Sequence, residues 1–307
     1  MSVGKSLLRA LIFGATRLAL ILGRNIPRSW NLCLGSLIGR LAYFLLRKER
    51  KKTLANLQRA LGKEKSTKEL SKIAYNVFIN LGKNLFELFW ASKANKSQLE
   101  NIASFEGMEY LQQSFNKGKG LIAISPHLGN WELMAYLVSM AGFPVNVIAK
   151  RLYDYRLNNL VYRLRSHKGV NTIFREDPSA GKRILHTLKR GEILGILIDQ
   201  DTKVEGVYVK FFNQLCYTPA GAAILALKSE AKVLFATIAR NSNQRHIISF
   251  YPPLKTLRTS DKEKDITINT QLYTNLIEAS IRKHPDQWIW MHQRWKTKPF
   301  GNGYKQI

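Results

Sequence analysis

The stretch that decides the fold is Gly120-Leu121-Ile122-Ala123-Ile124-Ser125-Pro126-His127-Leu128-Gly129-Asn130-Trp131-Glu132. Leu121 to Ile124 is an apolar run too short for a helix, and with Gly120 before it and Pro126 behind it the run predicts a buried strand. Trp131 opens a helical stretch that continues to Met140. His127 therefore falls in the connection just past the carboxyl end of a strand, where open α/β sheets place their sites.

The same alternation repeats downstream. Val145 to Ala149 predicts a strand, Asp154 to His167 a helix, Asp177-Pro178 the start of a helix ending near Gly191, and Ile193 to Ile198 another apolar strand. Further strands are expected near Val233 to Ile238 and His246 to Tyr251, with a helix from about Lys264 to Lys283. Strands that alternate with helices imply an α/β fold with a central, mostly parallel sheet covered by helices. Upstream, Leu70, Ile73, Val77, Leu81, Leu85 and Leu88 recur at helical spacing within Thr67 to Trp90.

The N-terminal segment reads differently. From Leu7 to Leu46 two apolar helical stretches are split around Asn25-Ile26-Pro27, and Arg9, Arg17 and Arg40 interrupt them. Neither is a clean run of about 20 apolar residues of the kind that spans a bilayer. An interfacial or re-entrant hairpin is expected, with arginines that snorkel and with Trp30 and Tyr43 suited to the interface, although two core helices of a globular fold share the pattern. A cleaved secretory signal is not expected. The cluster Arg47-Lys48-Glu49-Arg50-Lys51-Lys52 follows, and by the positive-inside rule it favours the cytoplasmic side. The chain is thus expected to divide into a membrane-associated helical segment, residues 1–52, and an α/β unit, residues 53–307, that would carry any catalytic site.

A formal charge of +27 and a pI near 10.2 call for anionic partners: lipid headgroups, an acidic carrier protein or nucleic acid. The nucleic-acid reading explains less, because no zinc-finger spacing or aromatic and basic RNA-binding pattern appears and the apolar N-terminus would have no purpose. Cys33 and Cys216 form neither a CxxC motif nor a Cys/His spacing, so no disulfide framework or metal site is indicated.

On one continuous helix, residues five apart such as His127 and Glu132 would diverge by roughly 140°, so His127 must sit on the turn that Pro126 and Gly129 provide. Glu132, near the helix start, is then expected to reach back to one imidazole nitrogen and leave the other for a substrate. An imidazole oriented in this way acts as a general base, an effect typically contributing about 10² to 10⁴ in rate. Backbone amides around Gly129 and Asn130 are candidates for an oxyanion site. The same residues also suit a plain loop histidine and a helix-start carboxylate.

These residues resemble the lysophospholipid acyltransferase superfamily, whose pattern is a histidine, four residues and an acid. More closely they look like the late acyltransferases of lipid A biosynthesis, the lauroyl and myristoyl transferases. The likeness extends to Lys150-Arg151-Leu152-Tyr153-Asp154, the run from Tyr162 to Val170 with Arg163 and Arg165, and Ile198-Asp199-Gln200-Asp201 with Gly206-Val207 and Phe211-Phe212 beyond it. It closes with the block from His284 to Thr297. The resemblance implies a glycerol-3-phosphate acyltransferase-like fold, His127 and Glu132 as the catalytic pair, and no cofactor. It further implies an acyl carrier protein thioester as donor, a phosphorylated glucosamine-lipid hydroxyl or hydroxyacyl group as acceptor, and an enzyme on the cytoplasmic face of the inner membrane. Arg165 is implied to bind a phosphate or polarise the thioester, with Arg151 and Arg163 as second choices. Asn130 sits in the motif, Asp199 and Asp201 are orienting residues or partners of basic side chains, and Arg294 is expected to pair with an internal acid. The spacer between Arg151 and Arg165 is shorter than the family's common one, which leaves another glycolipid or lipid hydroxyl open as acceptor. A membrane-peripheral scaffold without activity is the remaining alternative, against which the intact His127 and Glu132 argue.

Overall fold

The computed structural model describes residues 3–298, so the last residues of the expected catalytic unit lie outside the described ones. Four helices come first: α1 (Val3–Asn25), α2 (Arg28–Leu45), α3 (Arg47–Leu61) and α4 (Thr67–Ala91). Then follow α5 (Lys96–Glu100), β1 (Ala103–Glu106), α6 (Met108–Phe115), β2 (Leu121–Ser125), α7 (Trp131–Met140), β3 (Val145–Ala149), α8 (Tyr155–His167), β4 (Val170–Phe174), α9 (Ala180–Lys189) and β5 (Ile193–Leu197). A hairpin of β6 (Gly206–Phe211) and β7 (Gln214–Pro219) precedes α10 (Gly221–Lys228), β8 (Lys232–Arg240), β9 (His246–Phe250) and α11 (Lys262–Lys283).

Seven strands form one sheet in the order β1-β9-β8-β2-β5-β3-β4, parallel throughout except where β8 meets β9. This is the mostly parallel sheet expected from the alternation. Strand side chains alternate between two cores: Ile122 and Ile124 enter one with Phe235, Trp288 and Trp290, while Leu121 enters the other with Leu133 and Leu137 of α7. Both faces are therefore covered, which is why β2 reads as an unbroken apolar run. Sequence reasoning did not anticipate β1, β4 or the β6–β7 hairpin. The hairpin turns at Phe212 and Asn213, both at positive φ, a turn that no glycine announces.

The N-terminal helices are packed against this body. Gly35 and Gly39 of α2 meet Gly82 of α4 so closely that a Cβ on Gly35 would lie 2.5 Å from the Gly82 carbonyl oxygen. Small residues let the two backbones approach, and α1 packs on α4 as well. Much of the other face of α1 and α2 is bare apolar surface, including Leu11, Leu18, Leu22, Trp30, Leu37 and Phe44. Among the described residues no single helix is long and apolar enough to cross a membrane. Only α2 with α3, a pair bent by 89°, passes by length and composition.

Candidate active site

Strand register builds the center of the site. Ser125 of β2 pairs with Leu197 of the parallel β5, so His127 and Asp199, each two residues further on, emerge side by side at the carboxyl edge of the sheet. The Asp199 Oδ2 accepts the backbone N–H of His127 at 2.7 Å, and Oδ1 stands 2.7 Å from the imidazole Nδ1. The indole Nε1 of Trp288 donates to Asp199 Oδ2 at 2.7 Å. Asp199 is 1% exposed. Burial disfavors its charge, but the imidazole and these donors outweigh burial and hold the carboxyl down at about 2. An ionized carboxylate only accepts, so the neutral imidazole carries its proton on Nδ1 and presents a lone pair at Nε2.

At that lone pair, the amide nitrogen of Gln200 lies 3.0 Å from His127 Nε2 and 2.8 Å from Nε2 of His292. One amide group thus donates to two imidazoles. Burial, and then the neighboring His127, push the pKa of His292 down, which favors its neutral, accepting form. The Trp131 ring meets the His127 ring edge-on, with centroids 5.2 Å apart.

The turn carrying His127 is held from both sides. Gly129 has φ +57, and a Cβ there would fall 2.1 Å from the Ile238 carbonyl oxygen, so the position requires glycine. Its N–H donates to the Gln287 carbonyl at 2.9 Å and its own carbonyl accepts from Asn84 Nδ2 at 2.7 Å. The expectation that the Gly129 amide faces an oxyanion is therefore corrected: that N–H is already spent on the backbone of the C-terminal block. The Asn130 side chain is also structural, since it caps α7 through Leu133 N and donates to Glu87.

Glu132 requires a second correction. It stands in the first turn of α7. Its carboxylate does not serve as the imidazole's partner, because both oxygens are taken by Arg165 of α8, Oε2 by Nε at 2.8 Å and Oε1 by Nη2 at 2.5 Å. The reason is geometric: the flat guanidinium fork matches two carboxylate oxygens, whereas the Nδ1 of His127 is already satisfied by Asp199. The pair is mostly withdrawn from solvent, with side-chain exposures of 14% for Arg165 and 20% for Glu132. Burial works against the charge of Arg165, yet Glu132 keeps its pKa raised.

The remaining expected residues fall around this center. Arg151 donates its backbone N–H to Glu176 and lays its guanidinium over the Phe174 ring at 4.4 Å. Arg163 is exposed on α8, roughly 200° around the helix from Arg165, so the two do not share a face. Asp201 accepts the N–H and hydroxyl of Thr297 at 2.7 and 2.9 Å, fastening the C-terminal segment rather than a basic side chain. Among the described residues Arg294 pairs with no acid and donates instead to the Tyr217 carbonyl and the Thr218 hydroxyl of β7.

Beside the turn that carries the histidine an apolar cleft runs between α7 and the sheet. Met134, Ala135, Val138, Val147, Ile196 and Phe250 are among its walls, and Glu132 and Arg165 supply its charged groups. Ser125 and Trp131, which flank the His127 turn, also line it. A second cleft shares Glu132 and Arg165 and adds Lys150, Asn158 and Tyr162. The Glu132–Arg165 ion pair is therefore a wall common to the two clefts. Among the described residues no group of three or more His, Cys, Asp or Glu could hold a metal ion.

Gln200, His292 and the acceptor role of Asp199 toward His127 were not legible. Positions 127, 199 and 292 have no local spacing in common, and only the ladder of β2 with β5 and the packing of the C-terminal block bring them together.

The model of a family described as bacterial lipid A biosynthesis acyltransferase matches residues 5–297. The chain is 26% identical over 277 residues to the lipid A biosynthesis palmitoleoyltransferase of Escherichia coli (strain K12), covering 87% of this chain and 85% of that protein. It is 26% identical over 278 residues to the lipid A biosynthesis lauroyltransferase of the same organism, covering 87% and 86%. A phosphatidylinositol mannoside acyltransferase of Mycolicibacterium smegmatis is 25% identical over 194 residues, 61% of this chain and 60% of that protein.

Proposed function

The chain belongs to the bacterial lipid A biosynthesis acyltransferase family, and from that membership we propose that it moves a fatty acyl group from an acyl carrier protein thioester to a hydroxyl, or hydroxyacyl hydroxyl, of a phosphorylated glucosamine lipid. The observation that carries this reading is the Asp199–His127 pair, which leaves Nε2 as the accepting nitrogen, on a turn whose flanks, Ser125 and Trp131, line an apolar cleft together with Glu132 and Arg165.

In this mechanism the acceptor hydroxyl displaces the Gln200 amide from His127 Nε2 and gives its proton to that nitrogen. The alkoxide oxygen attacks the thioester carbonyl carbon, the tetrahedral intermediate collapses with cleavage of the C–S bond, and the imidazolium returns the proton to the departing thiolate. An ester and a free carrier thiol result, with no covalent enzyme intermediate and no cofactor. Asp199 holds the tautomer and stabilizes the imidazolium as it forms. Glu132 acts through Arg165, fixing the guanidinium at the cleft mouth where it polarizes the thioester carbonyl or holds an acceptor phosphate. The acyl chain occupies the cleft under α7. Lys150, Arg151 and Arg163 supply positive potential for the anionic donor and acceptor.

The bare apolar face of α1 and α2, with Arg9, Arg17 and Arg40 set into it and the Arg47–Lys52 cluster beyond, favors seating on the cytoplasmic face of the inner membrane. A face of this extent is otherwise costly in water, and anionic headgroups contribute about 1 kcal/mol per nearby basic residue. The similarity to a phosphatidylinositol mannoside acyltransferase favors a second reading, in which the acceptor is a different glycolipid.

The deciding experiment incubates the full chain with acylated carrier protein and either a lipid A precursor or a mannosylated phosphatidylinositol. Acyl ester formation on the first, abolished in His127→Ala, is the expected result. Transfer to the second alone selects the alternative acceptor, and undiminished transfer by His127→Ala ends the mechanism.

A further inference from the structure

Away from the proposed chemistry, six hydrogen bonds converge on the carboxylate of Glu87 in α4: Oε1 accepts from Arg28 Nε and Nη2 and Arg240 Nη1, and Oε2 from Arg240 Nη2, Asn130 Nδ2 and His246 Nε2. All lie between 2.6 and 3.0 Å, and Glu87 is fully buried. Burial disfavors its charge, yet these partners hold its pKa well below the ordinary carboxylate range.

The donors come from places that the sequence keeps far apart. Asn130 is the cap of α7, three residues after His127, and Asn84, one turn before Glu87 on α4, donates its side-chain amide to the carbonyl of Gly129 at 2.7 Å. The end of the His127 turn is thus held from α4. Arg28 stands in the first turn of α2, within the apolar N-terminal pair, and its guanidinium also donates to the Gln244 carbonyl.

Charge bookkeeping shows what Arg28 is not for. Burial lowers the pKa of His246, which favors its neutral form, and the buried Arg240 already balances Glu87 through two bonds. Arg28 is a surplus cation, only 17% exposed, whose desolvation is not required for neutrality. What it adds is a bond from α2 to the carboxylate that holds the α7 cap.

We infer that Arg28 and Glu87 are positioning residues for the acyl transfer, through which the seating of α1 and α2 sets the His127 turn. The inference rests on the proposed function for its catalytic consequence, and the N-terminal pair becomes part of the catalytic apparatus rather than an anchor alone. Neither residue touches the reacting groups: the path runs from Arg28 to Glu87 to Asn130 to the turn.

Arg28→Ala is the suitable variant, since it leaves Glu87 balanced by Arg240, whereas Glu87→Ala would strand a buried arginine and endanger folding. Two readouts are needed. By hydrogen exchange with mass spectrometry, amides of residues 127–134 in Arg28→Ala should exchange at least fivefold faster than in wild type, with residues 193–198 unchanged. In acyl transfer, kcat should fall at least tenfold with KM for the donor within twofold, and Arg28→Lys should lie between on both measures. Unchanged exchange at 127–134, an equal rise at 193–198, or a wild-type kcat overturns the inference. Exchange does not depend on any acyl donor, so a wild type that transfers nothing sinks the functional reading while exchange still judges the coupling.

Discussion

Asp199 receives both the backbone amide and the imidazole Nδ1 of His127, each at 2.7 Å, so a single carboxylate fixes the position and the tautomer of the histidine together. Asp199→Asn should therefore cost more than the charge alone, because an amide that donates toward Nδ1 reverses the tautomer and removes the lone pair from Nε2. A fall in kcat of about 10³ to 10⁴ is expected, the scale seen when a carboxylate orienting a histidine becomes an amide. Steady-state acyl transfer measures it, and a loss under tenfold would show that the tautomer is set elsewhere.

The same carboxylate links stability to pH. Asp199 is held at about 2 against an ordinary value of 3.8, so its folded-state pKa is depressed. Its contribution, on the order of 2 kcal/mol, is present above pH 4 and lost as pH falls toward 2. Denaturant midpoints measured between pH 5 and 2 should drop less steeply in Asp199→Asn than in wild type. Equal slopes in the two proteins would contradict the assignment.

Glu132 and Arg165 should behave as one unit. If Glu132 acts through the guanidinium, Glu132→Gln and Arg165→Gln each lower kcat/KM by about 10²-fold, and the double variant is no worse than the poorer single. Additive losses in this cycle would instead assign Glu132 a role independent of Arg165.

Filling the cleft tests where the acyl chain lies. Val138 and Ala135 of α7 are among its walls. Val138→Phe is expected to lower kcat/KM for long-chain donors about tenfold while leaving donors several carbons shorter within twofold, because added volume in a packed site is met by exclusion. Competition between acyl carrier protein donors of graded length reads this out, and a uniform decrease would place the chain elsewhere.

Gly129→Ala carries a stability expectation. The positive φ and the 2.1 Å approach to the Ile238 oxygen act together, and a loss of about 2 to 4 kcal/mol is expected from calorimetry or denaturant titration. A loss below 1 kcal/mol would mean that the turn relaxes freely.

Several levels of this molecule were readable in the chain itself. The apolar runs at 121–124 and 193–198 and the helix from Trp131 to Met140 follow from local periodicity, and the structure returns them within a residue or so. The placement of His127 on a strand-to-helix turn follows as well, since Pro126 and Gly129 admit no continuous helix. The spacing His127 to Glu132 suggested a partnership that the fold gives to others: Asp199 takes the imidazole and Arg165 takes Glu132.

The amino-acid sequence by itself determined the alternation of strands and helices, the turn that exposes a histidine, and the excess of basic residues around an apolar N-terminus, because each is written in neighbors a few positions apart. Only the tertiary structure decided which carboxylate faces His127, that His127 and His292 share the amide of Gln200, and that Arg28 reaches Glu87. Those choices depend on the register of β2 against β5 and on the packing of α2 on α4, where residues 72 and 59 positions apart meet. Contacts of that separation arise from how elements stack, and no local spacing encodes them.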